Sequence, residues 1–225
     1  MTTITNTGVT TTDLTSNTLE TAGNILINTT GNPSLTVKTS GAGNNPFVRI
    51  QADTNYWDLQ SLFSNTNDEL DFRYNGTSKM MMTKDGVITK PNQPSFHANK
   101  NGHLAEANAT NQIQSWTTVH DIGSNFNATT GVFTAPVAGV YFFAMNWMHN
   151  NPAGDMQLHG KKNSSVVIKA NQTAAGATWN QDYLAAVYQM SANDTWSWHL
   201  YSTGTSTYGV YGSGTFTSCN GYLIG

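Results

Sequence analysis

The segment TTGVFTAPVAGVYFFAMNW, residues 129–147, constrains the fold more than any other part of the chain. Gly131 and the turn that begins at Pro136 divide it into two predicted strands, residues 132–135 and 140–147. Strand side chains alternate between the two faces of a sheet. One face of the second strand therefore carries Tyr141, Phe143, Met145 and Trp147. The other face carries Val140, Phe142, Ala144 and Met148.

Both faces of this strand are apolar, whereas a strand in an antiparallel sandwich normally keeps one face in contact with water. We therefore expect an opposing sheet to cover one face and another subunit to cover the other. The predicted residues of this subunit interface are Val140, Phe142, Ala144 and Met148.

The rest of the C-terminal half also predicts β structure. In DTWSWHLYS, residues 194–202, Trp196, Trp198 and Leu200 alternate with polar residues, which is typical of a strand with one buried face. Hydrophobic residues make up 38% of the chain, which is enough to form a core. Charged residues make up only 10%, so the polarity comes from hydroxyl and amide groups, which disfavour helix interiors. Short strands between turns predict an all-β sandwich or jelly roll.

The N-terminal half divides into two parts. Residues 1–23 are Thr-rich without a hydrophobic period, and are either a floppy end or a peptide that docks on a partner; we predict docking. Residues 24–90 contain short strand-like runs with turn sequences at Asn75-Gly76 and Asp85-Gly86, which predict a ladder of β-hairpins. Its core would be thin, so neighbouring copies are expected to complete it. The Pro- and Asn-rich KPNQPSFHANKNG marks a boundary, and residues 91–225 form the predicted head domain.

Charge and hydropathy argue against several partners. The net charge is -3, and the ten Lys and Arg residues do not cluster, so no nucleic acid is expected. The start of the sequence lacks a signal peptide, and no apolar run reaches the length of a membrane span. We expect synthesis in a cytoplasm, no membrane insertion and, with Cys219 alone, no disulfide within the chain.

The segment FNATTGVFTAPVAGVYFF resembles the central motif of C1q and tumour-necrosis-factor-like domains. That motif, G-x-F-x-x-P-x-x-G-x-Y-x-F, is matched by Gly131, Phe133, Pro136, Gly139, Tyr141 and Phe143. The resemblance extends over residues 94–225, although the turn SAND replaces a Gly-Asp pair and Cys219 replaces a usual Phe. It implies a ten-stranded jelly roll that forms homotrimers, with one sheet of each protomer facing the threefold axis.

The upstream segment NPFVRIQADTNYWDLQ…DELDFRYNGTSKMMMTKDGVITK is similar to repeats in phage structural proteins, especially cyanophage fibres. The resemblance implies a trimeric β shaft and a place in the virion.

No enzyme motif is present, so neither catalysis nor a cofactor is predicted. The best candidate group of metal ligands is His149, Asp155 and His159. The alternative is that these residues lie at strand ends by chance, and whether an ion binds is unknown. Carboxylate pairs for glycan cleavage could come from two groups that also suit solvated turns: Asp53 with Asp58, or Asp68, Glu69 and Asp71.

The aromatic residues of the head divide into two classes. Those on strands are predicted to be core: Phe133, Tyr141, Phe143, Trp196, Trp198 and Tyr222. Trp179, Tyr208 and Tyr211 instead lie in loops rich in small residues, where exposed aromatic rings suit contact with sugars or protein receptors. The alternative is that these loop aromatics fold back on their own domain.

Together these patterns predict a non-enzymatic phage virion fibre: a peptide that docks on other virion proteins, a trimeric shaft, and a trimeric head that binds a host surface glycan or protein. The alternative is a head fibre, capsid decoration or tail adaptor with a structural role. A polysaccharide depolymerase is a third possibility, which requires a groove with close carboxylates.

Overall fold

The computed structural model describes residues 36–38, 44–63, 68–104, 107–150, 155–173, 179–205 and 209–225. The predicted docking peptide, residues 1–23, lies outside this part of the chain. All regular structure in the described residues is β, as the sequence predicts. None of the described segments forms a helix long and apolar enough to cross a bilayer.

The first five strands form one antiparallel sheet, here called the N-terminal sheet, in which sequence neighbours pair in order. Its strands are β1 (Phe47–Ala52), β2 (Asn55–Phe63), β3 (Asp68–Tyr74), β4 (Thr77–Thr83) and β5 (Ile88–Thr89). The turn between β3 and β4 has positive φ at both Asn75 (46°) and Gly76 (78°), as a tight hairpin with that dipeptide requires. The predicted ladder of hairpins is therefore present from Phe47 to Thr89.

The two faces of the N-terminal sheet differ in polarity. One face carries an ion-pair network that begins with a two-point contact from Arg49 to Asp58, with N···O distances of 2.8 and 3.0 Å. The opposite face is apolar and open to solvent, with Ile50 at 74% and Trp57 at 48% exposure. A sheet that is apolar on one face must bury that face against another element.

The head, from Ser95 onwards, consists of two packed sheets. Head sheet 1 has the order β14-β11-β16-β6-β8 and comprises β6 (Ser95–Lys100), β8 (Trp116–Ile122), β11 (Gly139–His149), β14 (Asn180–Met190) and β16 (Ser218–Leu223). Head sheet 2 has the order β13-β12-β15-β10-β9, with β7 also paired to β15. It comprises β7 (Ala107–Gln112), β9 (Phe126–Asn127), β10 (Val132–Thr134), β12 (Asp155–Lys162), β13 (Ser165–Thr173) and β15 (Thr195–Thr205). This is a jelly-roll sandwich.

Aromatic side chains from both sheets fill the space between them. Phe143 of head sheet 1 stacks on Trp196 of head sheet 2, with ring centroids 4.3 Å apart and planes 3° apart. Phe133 contacts Phe143 from the side, at a centroid distance of 5.6 Å. The predicted alternation along β11 and β15 is confirmed, because the following residues are all buried: Tyr141, Phe143, Met145, Trp147, Trp196, Trp198 and Leu200.

The outward face of β11 is less uniform than the sequence pattern indicated. Ala144 is only 2% exposed within the single chain, whereas Val140, Phe142 and Met148 are half-buried. Asn146 interrupts the apolar face, where its amide donates a hydrogen bond to the Phe216 carbonyl oxygen.

The prediction that Tyr222 belongs to the core is wrong. On β16 the buried positions are Cys219 and Gly221, so the alternation places Tyr222 on the outward face, where it is 46% exposed. Its ring lies 5.2 Å from that of Phe142. Tyr222 therefore adds to the outward apolar face of head sheet 1.

The sandwich has two ends, and the chain enters the head at one of them. At the first end, the Leu223 amide donates to the Pro94 carbonyl oxygen. At the opposite end, β6 ends at Lys100, whose amide donates to the Thr217 carbonyl oxygen. We call this opposite end the tip.

His199, on head sheet 2, is expected to lower the free energy of unfolding in acid. Burial, with the positive charge of Lys161, lowers the pKa of His199 to about 4. An unfolded imidazole titrates near 6.5, so the unfolded state takes up the proton first as the pH falls. The stabilisation is complete above about pH 6.5 and is lost between about pH 6.5 and about 4. After allowance for solvent screening we expect His199 to account for about 2 kcal/mol of that loss.

The measurement is the free energy of unfolding in denaturant at pH 7.5 and pH 5. His199→Gln should flatten the pH dependence between these values, since the amide does not titrate. An equally steep pH dependence in His199→Gln would contradict the assignment.

Candidate functional site

Four rings meet at the tip of the head, and we call them the tip cluster: His103, Trp179, Tyr211 and Phe216. Tyr211 is central, with its ring centroid 4.5 Å from His103, 4.8 Å from Trp179 and 5.7 Å from Phe216. Trp179 and Phe216 both present an edge-to-face geometry to it, at 78° and 79°. Such geometry is favourable for aromatic pairs.

Backbone contacts hold two of the three loops of the tip cluster together, the loop after β6 and the loop before β16. Leu104 and Val210 form an antiparallel bridge, and the Tyr211 amide donates to the Met148 carbonyl oxygen at 2.8 Å. Val210 is fully buried, so it anchors the loop next to Tyr211. A Cβ on Gly212 would lie 1.9 Å from the carbonyl carbon of Gly102, so only glycine permits this approach of the two loops.

Polar groups surround the rings. The Gly212 amide donates to Nδ1 of His103 at 2.9 Å, which fixes the orientation of the imidazole. The side-chain amide of Gln181 donates from Nε2 to Oδ1 of Asn146 at 3.0 Å, and the side-chain amide of Asn146 donates to the Phe216 carbonyl oxygen. Trp179 and Tyr211 are half-buried, while His103 and Phe216 are exposed. Aromatic rings next to amide groups can stack on a sugar ring and hydrogen-bond its hydroxyls.

The structure brings together two of the three predicted binding residues, Trp179 and Tyr211. Tyr208 lies outside the described residues. Sequence reasoning missed His103 and Phe216 as members of the site. The contact between His103 and Gly212 spans 109 residues of chain, and no local pattern in the sequence indicates it.

The candidate metal ligands His149, Asp155 and His159 do not come together. His149 faces the core and contacts Asp182, with Nε2 2.7 Å from Oδ2, whereas His159 lies on the outward face of head sheet 2 and contacts Gln157 at 2.8 Å. The amide of Asp155 instead bonds Oγ1 of Thr203. Among the described residues, no three His, Cys, Asp or Glu side chains are close enough to hold an ion.

The carboxylates considered for glycan cleavage have structural contacts. Asp58 is 7% exposed, and the hydrogen bonds from Arg49 lower its pKa, so its carboxylate stays ionised and in contact with Arg49. Asp71 is 2% exposed and accepts a hydrogen bond from Ser78 at 2.7 Å. Both lie on strands in a buried polar network. The reading of Asp58 and Asp71 as solvated turn formers is therefore wrong, because both carboxylates are buried and held by Arg49 and Ser78.

Gly212→Ala should disrupt the tip cluster. The added methyl group collides with the backbone of Gly102, and overpacking of this kind costs about 1–3 kcal/mol. We expect a lower free energy of unfolding and a changed Trp179 fluorescence spectrum. Gly225→Ala is the matched control, because nothing lies within 4 Å of its added methyl group. Equal stability of the two variants would show that the loops do not approach as described.

The head is similar to known proteins in both sequence and structure. The model of the C1q domain family matches residues 95–224. Similar solved structures include murine APRIL at pH 8.5, with a TM-score of 0.48 and 12% identity over 59% of this chain and 99% of that chain. The globular domain of zebrafish complement 1qA protein gives a TM-score of 0.47 and 20% identity, with coverages of 59% and 98%. Eiger TNF from S. frugiperda gives 0.47 and 12%, with coverages of 59% and 93%.

No curated protein sequence matches the chain. The matched segment makes up more than half of the 225 residues, and the chain therefore belongs to the C1q domain family.

Proposed function

We propose that this protein is a fibre of a bacteriophage virion, that it assembles as a homotrimer, and that the tip cluster of its head binds a glycan or protein on the host cell surface. The observation that carries the proposal is the tip cluster itself. Four rings, of which two are exposed, lie at the end of the head opposite the point where the chain enters. A fibre anchored through its N-terminal part would present this end outward.

The outward face of head sheet 1 supports self-association. One row of the strand register crosses all five strands and consists of Val187, Phe142, Tyr222, Ser95 and Ile122. Val187 is 56% exposed and Tyr183, on the same face of β14, is 61% exposed. The row carries no formal charge, so identical copies can meet there without repulsion. Apolar exposure of this kind marks an interaction surface.

The N-terminal sheet supports the same assembly. Its apolar face requires a cover, and copies of the sheet around a common axis would supply one. Its other face, with the Arg49 to Asp58 ion pair, would then remain in water. We propose that this sheet forms the shaft and that residues 1–23 dock on another virion protein.

Attachment through the tip would be multivalent. Three tip clusters per trimer and several trimers per particle raise the effective concentration of each site after the first contact. Tight binding by a single cluster is then unnecessary, and reversible contact with neutral sugars suffices.

Trp179→Ala tests the proposal. Loss of a central aromatic contact costs about 2 kcal/mol or more in typical interfaces, so each site should weaken by about 30-fold. Labelled protein would first be screened on glycan arrays and on bacterial strains, and the variant would then be measured on the surface that wild type binds. The solution mass and melting temperature should remain those of wild type.

Val166→Ala is the control, because Val166 is an exposed residue of head sheet 2 away from the tip. Undiminished binding by Trp179→Ala would remove the tip cluster from the binding site. Failure of wild type to bind any surface, together with labelling of the protein inside assembled particles away from the tail, would favour the structural alternative.

A further inference from the structure

A second polar site lies on the outward face of head sheet 2, away from the tip cluster. His159 on β12 lies directly opposite His199 on β15 and, on its other side, opposite Lys169 on β13. Two pairs along, on the same face, Lys161 lies opposite Ser197. Three adjacent strands thus place two imidazoles, two ammonium groups and a hydroxyl side by side. We call these five residues the basic recess.

The floor of the basic recess is more deeply buried than an outward face normally is. His159 is 8% exposed and Ser197 9% exposed, although both point away from the core. Lys161 is half-buried and Lys169 exposed, so these two longer side chains, here called the rim, lie closer to solvent than His159 and Ser197. The His159 ring also stacks on Tyr201, with centroids 5.8 Å apart and planes 7° apart.

The hydrogen bonds leave one buried nitrogen without a partner. Nε2 of His159 lies 2.8 Å from Oε1 of Gln157, an acceptor, so the imidazole donates there. Nδ1 therefore carries the lone pair, and this buried atom has no hydrogen-bond partner. Nε2 of His199 is 3.1 Å from the hydroxyl of Ser197. A buried polar atom of this kind normally has a partner, and here one is missing.

Among the residues that the structure describes, the charge around the recess is positive only. The titratable groups that face the two imidazoles are Lys169 from β13, Lys161 from β12 and Tyr201 from β15, while the neighbouring β7 positions carry Gln112 and Thr110. The carboxylate of Asp155 is four residues from His159, or about 13 Å along the strand. Asp194, at the other end, is held by Lys162 and Asn163.

This charge distribution selects the class of ligand. A metal cation would be repelled by two ammonium groups, whose charge together with burial already lowers the pKa of His159. An anion would instead be attracted to both ammonium groups. It would accept hydrogen bonds from Lys161, Lys169 and Ser197, and would permit protonation of His159 at Nδ1, which could then donate as well.

We propose that the basic recess binds a tetrahedral oxyanion, a sulfate or phosphate group of the kind that acidic surface glycans carry. Binding takes up a proton on the recess, so affinity rises as the pH falls below about 6.5, the usual pKa of an imidazole, towards a limit of about tenfold per pH unit. The site is independent of the tip cluster, and its test does not require the proposed attachment function.

The test follows the imidazole signals of the six histidines by NMR in the full-length protein. Sodium sulfate, sodium phosphate and sodium acetate are titrated separately at pH 6 and pH 8, with sodium chloride holding the ionic strength constant. Sulfate or phosphate should move the signals of His159 and His199 and raise the apparent pKa of His199 by about one unit or more, as a nearby opposite charge does. The signals of His103 and His120 should stay in place.

Lys161→Ala combined with Lys169→Ala should weaken the response at least about tenfold, the loss expected for charged hydrogen bonds. Both lysines are on the rim, so the core is unchanged. Lys84→Ala, in the N-terminal sheet, is the matched control and should respond as wild type does. Whichever of sulfate and phosphate binds with the higher affinity is the preferred group.

Three outcomes would overturn the proposal. One is the absence of any response of His159 and His199 to sulfate and phosphate at pH 6. Another is an equal response of all six histidines, which indicates a general salt effect. An equal response to acetate would overturn the assignment to a tetrahedral oxyanion.

Discussion

Phe142→Asp is expected to convert the proposed homotrimer into folded monomers. Phe142 is the second of the five residues in the outward row of head sheet 1, between Val187 and Tyr222. In a trimer the change would bury a carboxylate in each of three interfaces, and an unpaired buried charge costs several kcal/mol. Light scattering coupled to size exclusion should give the mass of one chain, while the circular dichroism spectrum should match that of wild type.

The control for Phe142→Asp is Val166→Asp, which adds the same charge at an exposed position of head sheet 2. It should leave the mass unchanged. An unchanged mass in Phe142→Asp as well would show that this face is not the interface between copies.

Phe143→Ala, one residue further along the same strand, should act on the fold and not on the assembly. Phe143 is fully buried and stacks on Trp196 at 4.3 Å, so its loss leaves a cavity between the two head sheets. Removal of a core phenylalanine costs about 3–5 kcal/mol. The denaturant midpoint should fall sharply at fixed protein concentration, and the mass of the folded protein should stay that of wild type.

Val119→Ala, at an exposed position of β8, is the control and should change the free energy of unfolding by less than about 0.5 kcal/mol. A loss of that small size for Phe143→Ala would mean that the two sheets do not pack through this residue.

Local patterns predict much of this fold because strand alternation and turn chemistry depend on nearby residues. Period-two alternation identifies the buried face of β11 and of β15, and the Asn75-Gly76 pair identifies the hairpin between β3 and β4. The motif around Gly131 and Pro136 indicates the C1q family, which the family model confirms.

Features that depend on long-range contact could not be predicted in the same way. The tip cluster exists because the loop after β6 meets the loop before β16, and His103 therefore looks like an ordinary loop residue in the sequence. Asp58 and Asp71 are buried because Arg49 and Ser78 lie opposite or beside them on neighbouring strands. The basic recess likewise depends on the register of three strands, in which His159 meets both His199 and Lys169.

The solution mass of the full-length wild-type protein tests most directly the claim that identical chains cover the apolar face of head sheet 1. Sedimentation equilibrium over a hundredfold range of concentration should give three times the 24.4 kDa of one chain. A protein that remains folded at the mass of one chain over the whole range would contradict the claim.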